Sequence, residues 1–379
     1  MSERKTDFVL EFYSEEIPAK MQSVAAAQLA KKMGDFLANH GVEDAQLDSY
    51  VAPRHLALLV RNLPINLPPR NEEKKGPRID APDKAIAGFL RANNLPSTDG
   101  LLIRDDPKGK FYVLEINQQG RVLADALAEF LPELVAGFSW PKSMRWGVDK
   151  LRWVRPLRSI LCRFDGAIVD FEIGDIKSCG VSYGHRFMAP DALEIAHADD
   201  YLGVLEHNFV IADAGVRAAM IVEEATKLAR SVGAVLVEDD ALVSEIAGLV
   251  SWPVPLLGRI DAEFMDMPEE VLVSVMRTHQ KYLALRDGDG DGQLAPYFII
   301  IADIKTVDEG AAIRDGNERV LRARLSDGRF YWQQDFDTDW KTRQPELDKV
   351  IFHAKLGSLK QKTERMEKLA GLCAAAFKA

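Results

Sequence analysis

WPKSMRWGVDKLRWVRPLR, residues Trp140 to Arg158, is the stretch from which this sequence is best read. Six of its residues are basic (Lys142, Arg145, Lys150, Arg152, Arg155 and Arg158) against one acid, Asp149. It also holds Trp140, Trp146 and Trp153, three of the six tryptophans in the chain. The 379 residues carry a formal net charge of -10, so this segment runs against the general balance. Guanidinium groups pair with phosphates and flat rings stack on bases, so a polyanion carrying bases suits the pattern. A second reading uses the same residues differently. Tryptophans bury as core anchors, and alternating arginines form the wet face of a strand. Composition leaves both readings open.

Working outward, the chain is long enough for two or three domains, each with its own core. With 47% hydrophobic and 28% charged residues it has the make-up of a soluble globular protein. The acidic balance speaks against indiscriminate coating of nucleic acid and allows a selective binder with a confined basic surface. Cys162, Cys179 and Cys373 have no CxxC spacing and no neighbouring histidine cluster, which reads as a reduced, cytoplasmic chain without a cysteine metal site. The polar start, Met1 to Asp7, reads as no signal peptide, and no apolar run reaches the roughly 18 residues of a membrane span.

Upstream of the basic stretch, Phe8 to Phe12 reads as a strand. Pro18 opens a helix whose face is Met21, Ala25, Leu29, Met33 and Phe36, and Gly41 ends it. Glu15 and Glu16 sit near the positive end of that helix, and this duty is favoured over an acid/base or metal role because no third ligand is nearby. Leu56 to Val60 is a strand. Residues 62–82 hold Pro64, Pro68, Pro69, Pro77 and Pro82 with charges between them and read as an extended connector. A helix at 83–93, a strand at Phe111 to Ile116 and a helix at Val122 to Phe138 follow.

Downstream, strands are expected at Ser159 to Phe164 and Ile168 to Ile173, and helices at 198–207, 214–232, 240–249 and Pro268 to Arg277. Short strands are expected near 235–237 and 254–257. His185 beside Arg186 could face a phosphate or move a proton, although a lone histidine in a strand is usually structural. Met276 to Tyr282 is a binding corner or a helix end whose carbonyls Arg277 and Lys281 complement. Asp287 to Gly292 has the letters of a calcium loop, but its twelfth position is Phe298 rather than a bidentate Glu, so it reads as a hairpin turn. From Ile313 a helix carries Arg319 and Arg322 on one face, with acids that make a salt-bridged helix the default. Lys349 to Ala379 reads as helical, with Phe352, Leu356 and Leu359 at i, i+4 and i+7.

No GxxxxGK[ST] loop, no GxGxxG after a strand and no HExxH occurs. Pro141-Lys142-Ser143-Met144 has the letters of a class I synthetase loop in the wrong order, without its His-Ile-Gly-His companion. An ATP site within the chain is therefore not expected.

The chain resembles the N-terminal half of the beta subunit of bacterial glycyl-tRNA synthetase. The matching elements are Ser14 to Ala19, Ala52-Pro53-Arg54-His55-Leu56, Lys75-Gly76-Pro77, Pro141 to Gly147, Arg155-Pro156-Leu157-Arg158, Gly184-His185-Arg186-Phe187, Met276 to Tyr282, Asn317 to Leu325 and Phe352 to Gly357. They spread in order over nearly the whole chain. The resemblance implies an α+β fold: an N-terminal α/β region (1–140, with the connector 62–82), a central α/β part (141–310) similar to the editing-type domain of phenylalanyl-tRNA synthetase, and the start of a helical domain (311–379). It implies a tetramer of two alpha and two beta subunits. The alpha subunit would activate glycine with ATP and Mg, and this chain would need no cofactor of its own, bind tRNA(Gly), and meet neither membrane nor DNA. Candidate tRNA-binding residues are Lys142, Arg145, Arg152, Arg155, Arg158, Arg186, Arg319 and Arg322. No catalytic residue and no metal ligand is assigned. The alternatives are an editing-type hydrolase acting on mischarged tRNA, resting on His185 and His279, and a scaffold of the tetramer. The sequence ends at Ala379 as the helical domain begins, so anticodon recognition is not placed on these residues.

Overall fold

Phe8-Val9-Leu10-Glu11-Phe12 has hardly a polar position in it, and that run decides where its strand lies. A strand buried on both faces reads as continuous apolar sequence, because both sets of alternating side chains must leave water. In the computed structural model, which describes residues 4–93, 95–106, 109–118, 120–147, 151–288 and 292–377, the strand Lys5–Ser14 lies inside a seven-stranded sheet. It pairs antiparallel with His55–Pro64 on one side and Leu157–Phe164 on the other, Phe12 facing Leu56 and Ile160 across the two ladders. Gln46–Val51 extends the sheet beyond His55–Pro64, and Ile176–Cys179 and Glu172–Ile173 extend it beyond Leu157–Phe164. Only the pairing of Ile176–Cys179 with Leu157–Phe164 is parallel among these described ladders.

The two faces build two cores. Phe8, Leu10 and Phe12 join Leu56, Leu58 and Val60 in a large cluster with Leu29, Met33 and Phe36 of the helix Ala19–Asn39 and Leu127, Leu131 and Leu134 of the helix Leu123–Ala136. Val9, Ala57, Leu59 and Leu161 face the other way, against Tyr201 and Leu205 of the helix Ala198–His207. The expected first helix is present, beginning after Pro18, and the chain turns away at Gly41 with φ +75°. A positive φ strains any residue with a Cβ, which explains glycine there.

These elements belong to the first of two units, residues 1–228, 238–255 and 301–309; the second is 229–237, 256–300 and 310–379. One sheet takes strands from both sides of residue 140, so the expected boundary at 140/141 does not separate two cores. The connector expected at 62–82 is corrected too. Arg70–Arg78 is a strand, pairing antiparallel with Gly109–Gln118, which pairs in turn with Leu102–Asp106. The prolines sit where strands tolerate them: Pro77 falls in the register shift between Lys75 and Arg78, and Pro82 stands immediately before the helix Asp83–Ala92. Glu73, Lys74 and Lys75 are charged because their strand is solvent-exposed, and their backbone still completes a ladder.

The second unit is built on a sheet in the order Ala234–Leu236, Leu283–Asp287, Leu294–Ala302, Val254–Arg259. Leu283–Asp287 and Leu294–Ala302 pair as an antiparallel hairpin, with Ala284 opposite Phe298. Asp289, Gly290 and Asp291 of the expected turn lie outside the described residues. The helix Glu269–Val275 continues into a π-helical turn, Met276–Gln280, and stops at Lys281 with φ 59°. The long helix Ala311–Asp337 follows Gly310 and buries Leu321 and Leu325, one turn apart. The helix expected across 349–379 starts only at Leu359. Before it, Ile351–His353 and Gly357–Ser358 form a small hairpin, with Gly357 at φ +84°, and Phe352 and Leu356 are exposed despite their helical spacing.

Candidate nucleic-acid interface

Trp153 is fully buried, and from it the geometry of the basic stretch follows. Its ring packs against Phe12, Phe138 and Trp140 at centroid distances of 5.3, 5.0 and 4.9 Å. Its backbone forms an antiparallel bridge with Met144, the Met144 N–H donating to the Trp153 carbonyl at 2.8 Å. The bridge ties the two ends of the segment together, and the described residues beside it, Arg145 to Gly147 and Leu151 to Arg152, are in neither helix nor strand. Val154 and Leu157 are buried behind it. Because Trp153, Val154 and Leu157 point inward, Lys142, Arg145, Arg152 and Arg158 are left exposed and Arg155 half-buried. The two readings of this stretch therefore divide between residue types: Trp153 anchors the core while the cations face solvent. Asp149 and Lys150 lie outside the described residues.

The cations differ in what they already hold. Arg158 donates to Glu15, 2.6 Å away, and Arg54 donates to the same carboxylate at 3.2 Å. Arg186 is paired with Glu16 and lies 5.2 Å from the Phe187 ring centre. Burial alone would raise the Glu15 carboxyl, but Arg158, Arg54 and Arg186 outweigh it and hold it below the ordinary glutamate range. Glu15 and Glu16 were expected to serve a helix start; they are instead carboxylate anchors for arginines. Arg155 donates to its own neighbour, the Val154 carbonyl, at 2.8 Å. Arg152 makes a 3.3 Å contact with the Ser143 hydroxyl. Among the described residues neither Lys142, Arg145 nor Arg152 has an acidic partner. These three retain the most unneutralised charge, and Arg152 and Trp140 line an open cleft of about 450 Å³ with Phe138, Ser143 and Leu151.

In the second unit, Arg319 and Arg322 lie on the long helix. Arg322 is bound to Asp261, whose carboxyl it holds below the usual aspartate range, and Arg319 is exposed. The salt-bridged helix is thus what the sequence made the default for Arg322.

Sequence reasoning missed a buried polar cluster in the first unit. Glu11 is fully buried in the sheet and accepts hydrogen bonds from His55 Nδ1 at 2.9 Å, Ser182 Oγ at 2.7 Å and the Tyr201 hydroxyl. Burial first, and the Glu11 carboxylate second, push the Tyr201 hydroxyl well above its usual range. The visible signal was a lone Glu in an apolar strand. Arg217 is also buried, donating to the backbone carbonyls of Ala247, Ile211 and Val51; desolvation pulls its pKa down to about 10, so it stays charged at neutral pH. His185, flagged by its neighbourhood with Arg186, is 2% exposed, with Asp303 near it.

Among the described residues there is no cluster of three or more His, Cys, Asp or Glu side chains able to hold a metal ion, and no helix long and apolar enough to cross a membrane. What the geometry offers is an outward-facing cationic loop on a rigid aromatic base, which can hold a polyanion without performing chemistry on it.

The family profile of the glycyl-tRNA synthetase beta subunit matches residues 8–379. The chain is 44% identical over 364 residues to the glycine–tRNA ligase beta subunit of Phenylobacterium zucineum, 40% over 388 residues to that of Rhodospirillum centenum, and 42% over 373 residues to that of a Ruegeria species. Each match covers 96% of this chain and 54% of the relative, so the chain spans about half the length of the curated relatives it matches.

Proposed function

We propose that this chain, which belongs to the glycyl-tRNA synthetase beta subunit family, is a tRNA-holding part of the ligase that joins glycine to tRNA(Gly). In this reading an alpha subunit supplies the ATP- and Mg-dependent activation of glycine. The assembly holds two alpha and two beta subunits and works in the cytoplasm. The observation that carries the chain's own share is the cluster of Lys142, Arg145 and Arg152, without acidic partners among the described residues on a chain of net charge -10. An acidic body repels RNA in general, so binding concentrates where a local positive field exists.

The test is tRNA(Gly) binding across a salt series, comparing the chain with its Lys142→Ala, Arg145→Ala and Arg152→Ala variants. A variant that no longer neutralises one phosphate should bind more weakly, with its log–log salt slope flatter by about 0.7–0.9. Arg158→Ala should do less, because Glu15 already neutralises Arg158. Unchanged affinity and slope in all three loop variants, with folding intact, would exclude this surface from tRNA binding. The likeness of the central part to an editing-type domain belongs to the same proposal as an architectural relation. Glycine is the smallest amino acid, so a synthetic site can exclude larger competitors by size, which lowers the need for hydrolytic correction.

A further inference from the structure

Within the first unit, a cavity of about 230 Å³ is lined by Glu16, Arg54, His185, Arg186, Phe187 and Asp303, among others. The basic stretch does not contribute to it. His185 decides what it can hold. Its Nδ1 accepts from the backbone N–H groups of Phe187 and Met188, at 3.3 and 3.2 Å. In the neutral ring the proton is therefore on Nε2. That nitrogen is buried and has no hydrogen-bond partner among the described residues. Buried donors are nearly always satisfied, so an orphan on a residue that lines a cavity marks a place where a ligand atom belongs.

Asp303 sits beside it. Its Oδ1 accepts from the backbone N–H groups of Ser251 and Trp252, at 2.6 and 2.9 Å. Its Oδ2 is 3.5 Å from His185 Nε2, too far for a good hydrogen bond. The cavity thus presents one donor and one acceptor side by side. Its arginines are already engaged, Arg54 with Glu15 and Arg186 with Glu16, which disfavours a phosphate or carboxylate ligand. At the mouth, Phe187 is 69% exposed with the Arg186 guanidinium against its ring. An exposed aromatic flanked by a guanidinium is a stacking platform.

We propose that this cavity takes a single nucleobase, whose adjacent acceptor and donor pair with His185 Nε2–H and Asp303 Oδ2 while its face stacks on Phe187. Each of the four bases presents such an edge on its Watson–Crick or Hoogsteen side. A small zwitterion such as an amino acid would leave the ring unused and would need the arginines to abandon Glu15 and Glu16. The inference goes beyond the proposed function and leans on it only for one of two sources of the base, a free nucleoside or an unpaired RNA end.

The experiment titrates the chain with adenosine, cytidine, guanosine and uridine, and separately with a single-stranded hexanucleotide, read by saturation-transfer NMR and calorimetry. Asp303→Asn keeps an oxygen for Ser251 and Trp252 but turns the acceptor into a donor. His185→Asn keeps an acceptor for the two backbone N–H groups but removes the Nε2 donor. Both should lower affinity about tenfold or more with the melting temperature unchanged, and Phe187→Ala should lower it comparably. Binding of a nucleoside, weakened in this way by the variants, establishes the site. Binding of the hexanucleotide alone, weakened in the same way, also supports it and makes RNA the source. No binding of either, binding indifferent to both polar variants, or binding of alanine in place of nucleosides overturns it. The salt slope of the Lys142, Arg145 and Arg152 variants reports on the proposed function independently, so either idea can fail alone.

Discussion

Arg152 and Trp153 are adjacent in sequence and opposite in fate: one side chain is exposed, the other fully buried. Trp153→Ala should cost about 3–5 kcal/mol of unfolding free energy, since a large ring leaves a cavity among Phe12, Phe138 and Trp140. Arg152→Ala should stay within about 0.5 kcal/mol, and chemical denaturation distinguishes the two. Equal destabilisation would mean that the loop is structural throughout. Glu15 adds a pH dependence. Its folded carboxyl titrates below the ordinary value of 4.5, so its contribution is present above that value and fades as pH falls through the folded pKa. Glu15→Gln should therefore lower the melting temperature at neutral pH and make progressively less difference as the pH drops below about 4. A gap that persists unchanged into strong acid would contradict the charge pairing with Arg54 and Arg158. Glu11 differs from Glu15 in having no exposed face. Glu11→Leu removes the acceptor that serves His55, Ser182 and Tyr201, and should destabilise by about 1–3 kcal/mol or more because donors are orphaned.

At the scale of elements, periodicity found most helices and the long strands, and failed where backbone geometry overrode side-chain spacing. Phe352, Leu356 and Leu359 have helical spacing, yet Gly357 turns the chain at a positive φ and a hairpin intervenes. Arg70–Arg78 was hidden for another reason: a solvent-exposed strand held by backbone bonds needs no apolar alternation, and its prolines suggested a connector. Backbone geometry also governs Gly310 in the second unit. It precedes the long helix at φ +80°, and a Cβ there would come within 2.5 Å of Leu256. Gly310→Ala should lower the denaturation midpoint by the equivalent of about 1 kcal/mol or more through strain and overlap, whereas Gly316→Ala, with open space around it, should be neutral or stabilising. Similar effects at the two glycines would refute the conformational explanation.

For the whole molecule, the proposed division of labour gives two enzymatic predictions. The chain alone should give no glycine-dependent exchange of pyrophosphate into ATP, and the activity should need the alpha subunit; exchange by the isolated chain would end the reading. It should also release no amino acid from alanyl- or seryl-tRNA above the buffer rate, and measurable deacylation would favour the hydrolase instead. The sequence by itself determined the family, through motifs spread from Ser14 to Gly357, and the buried sheet strands, because continuous apolar runs admit few other environments. It also located the cationic stretch, since charge is additive and visible without coordinates. Only the tertiary structure decided which cations remain free. Glu15, Glu16 and Asp261 neutralise Arg158, Arg186 and Arg322 across separations of 143, 170 and 61 residues, and no local pattern encodes such distant partners. The same holds for the unsatisfied nitrogen of His185, because an orphaned donor exists only once burial has removed its water.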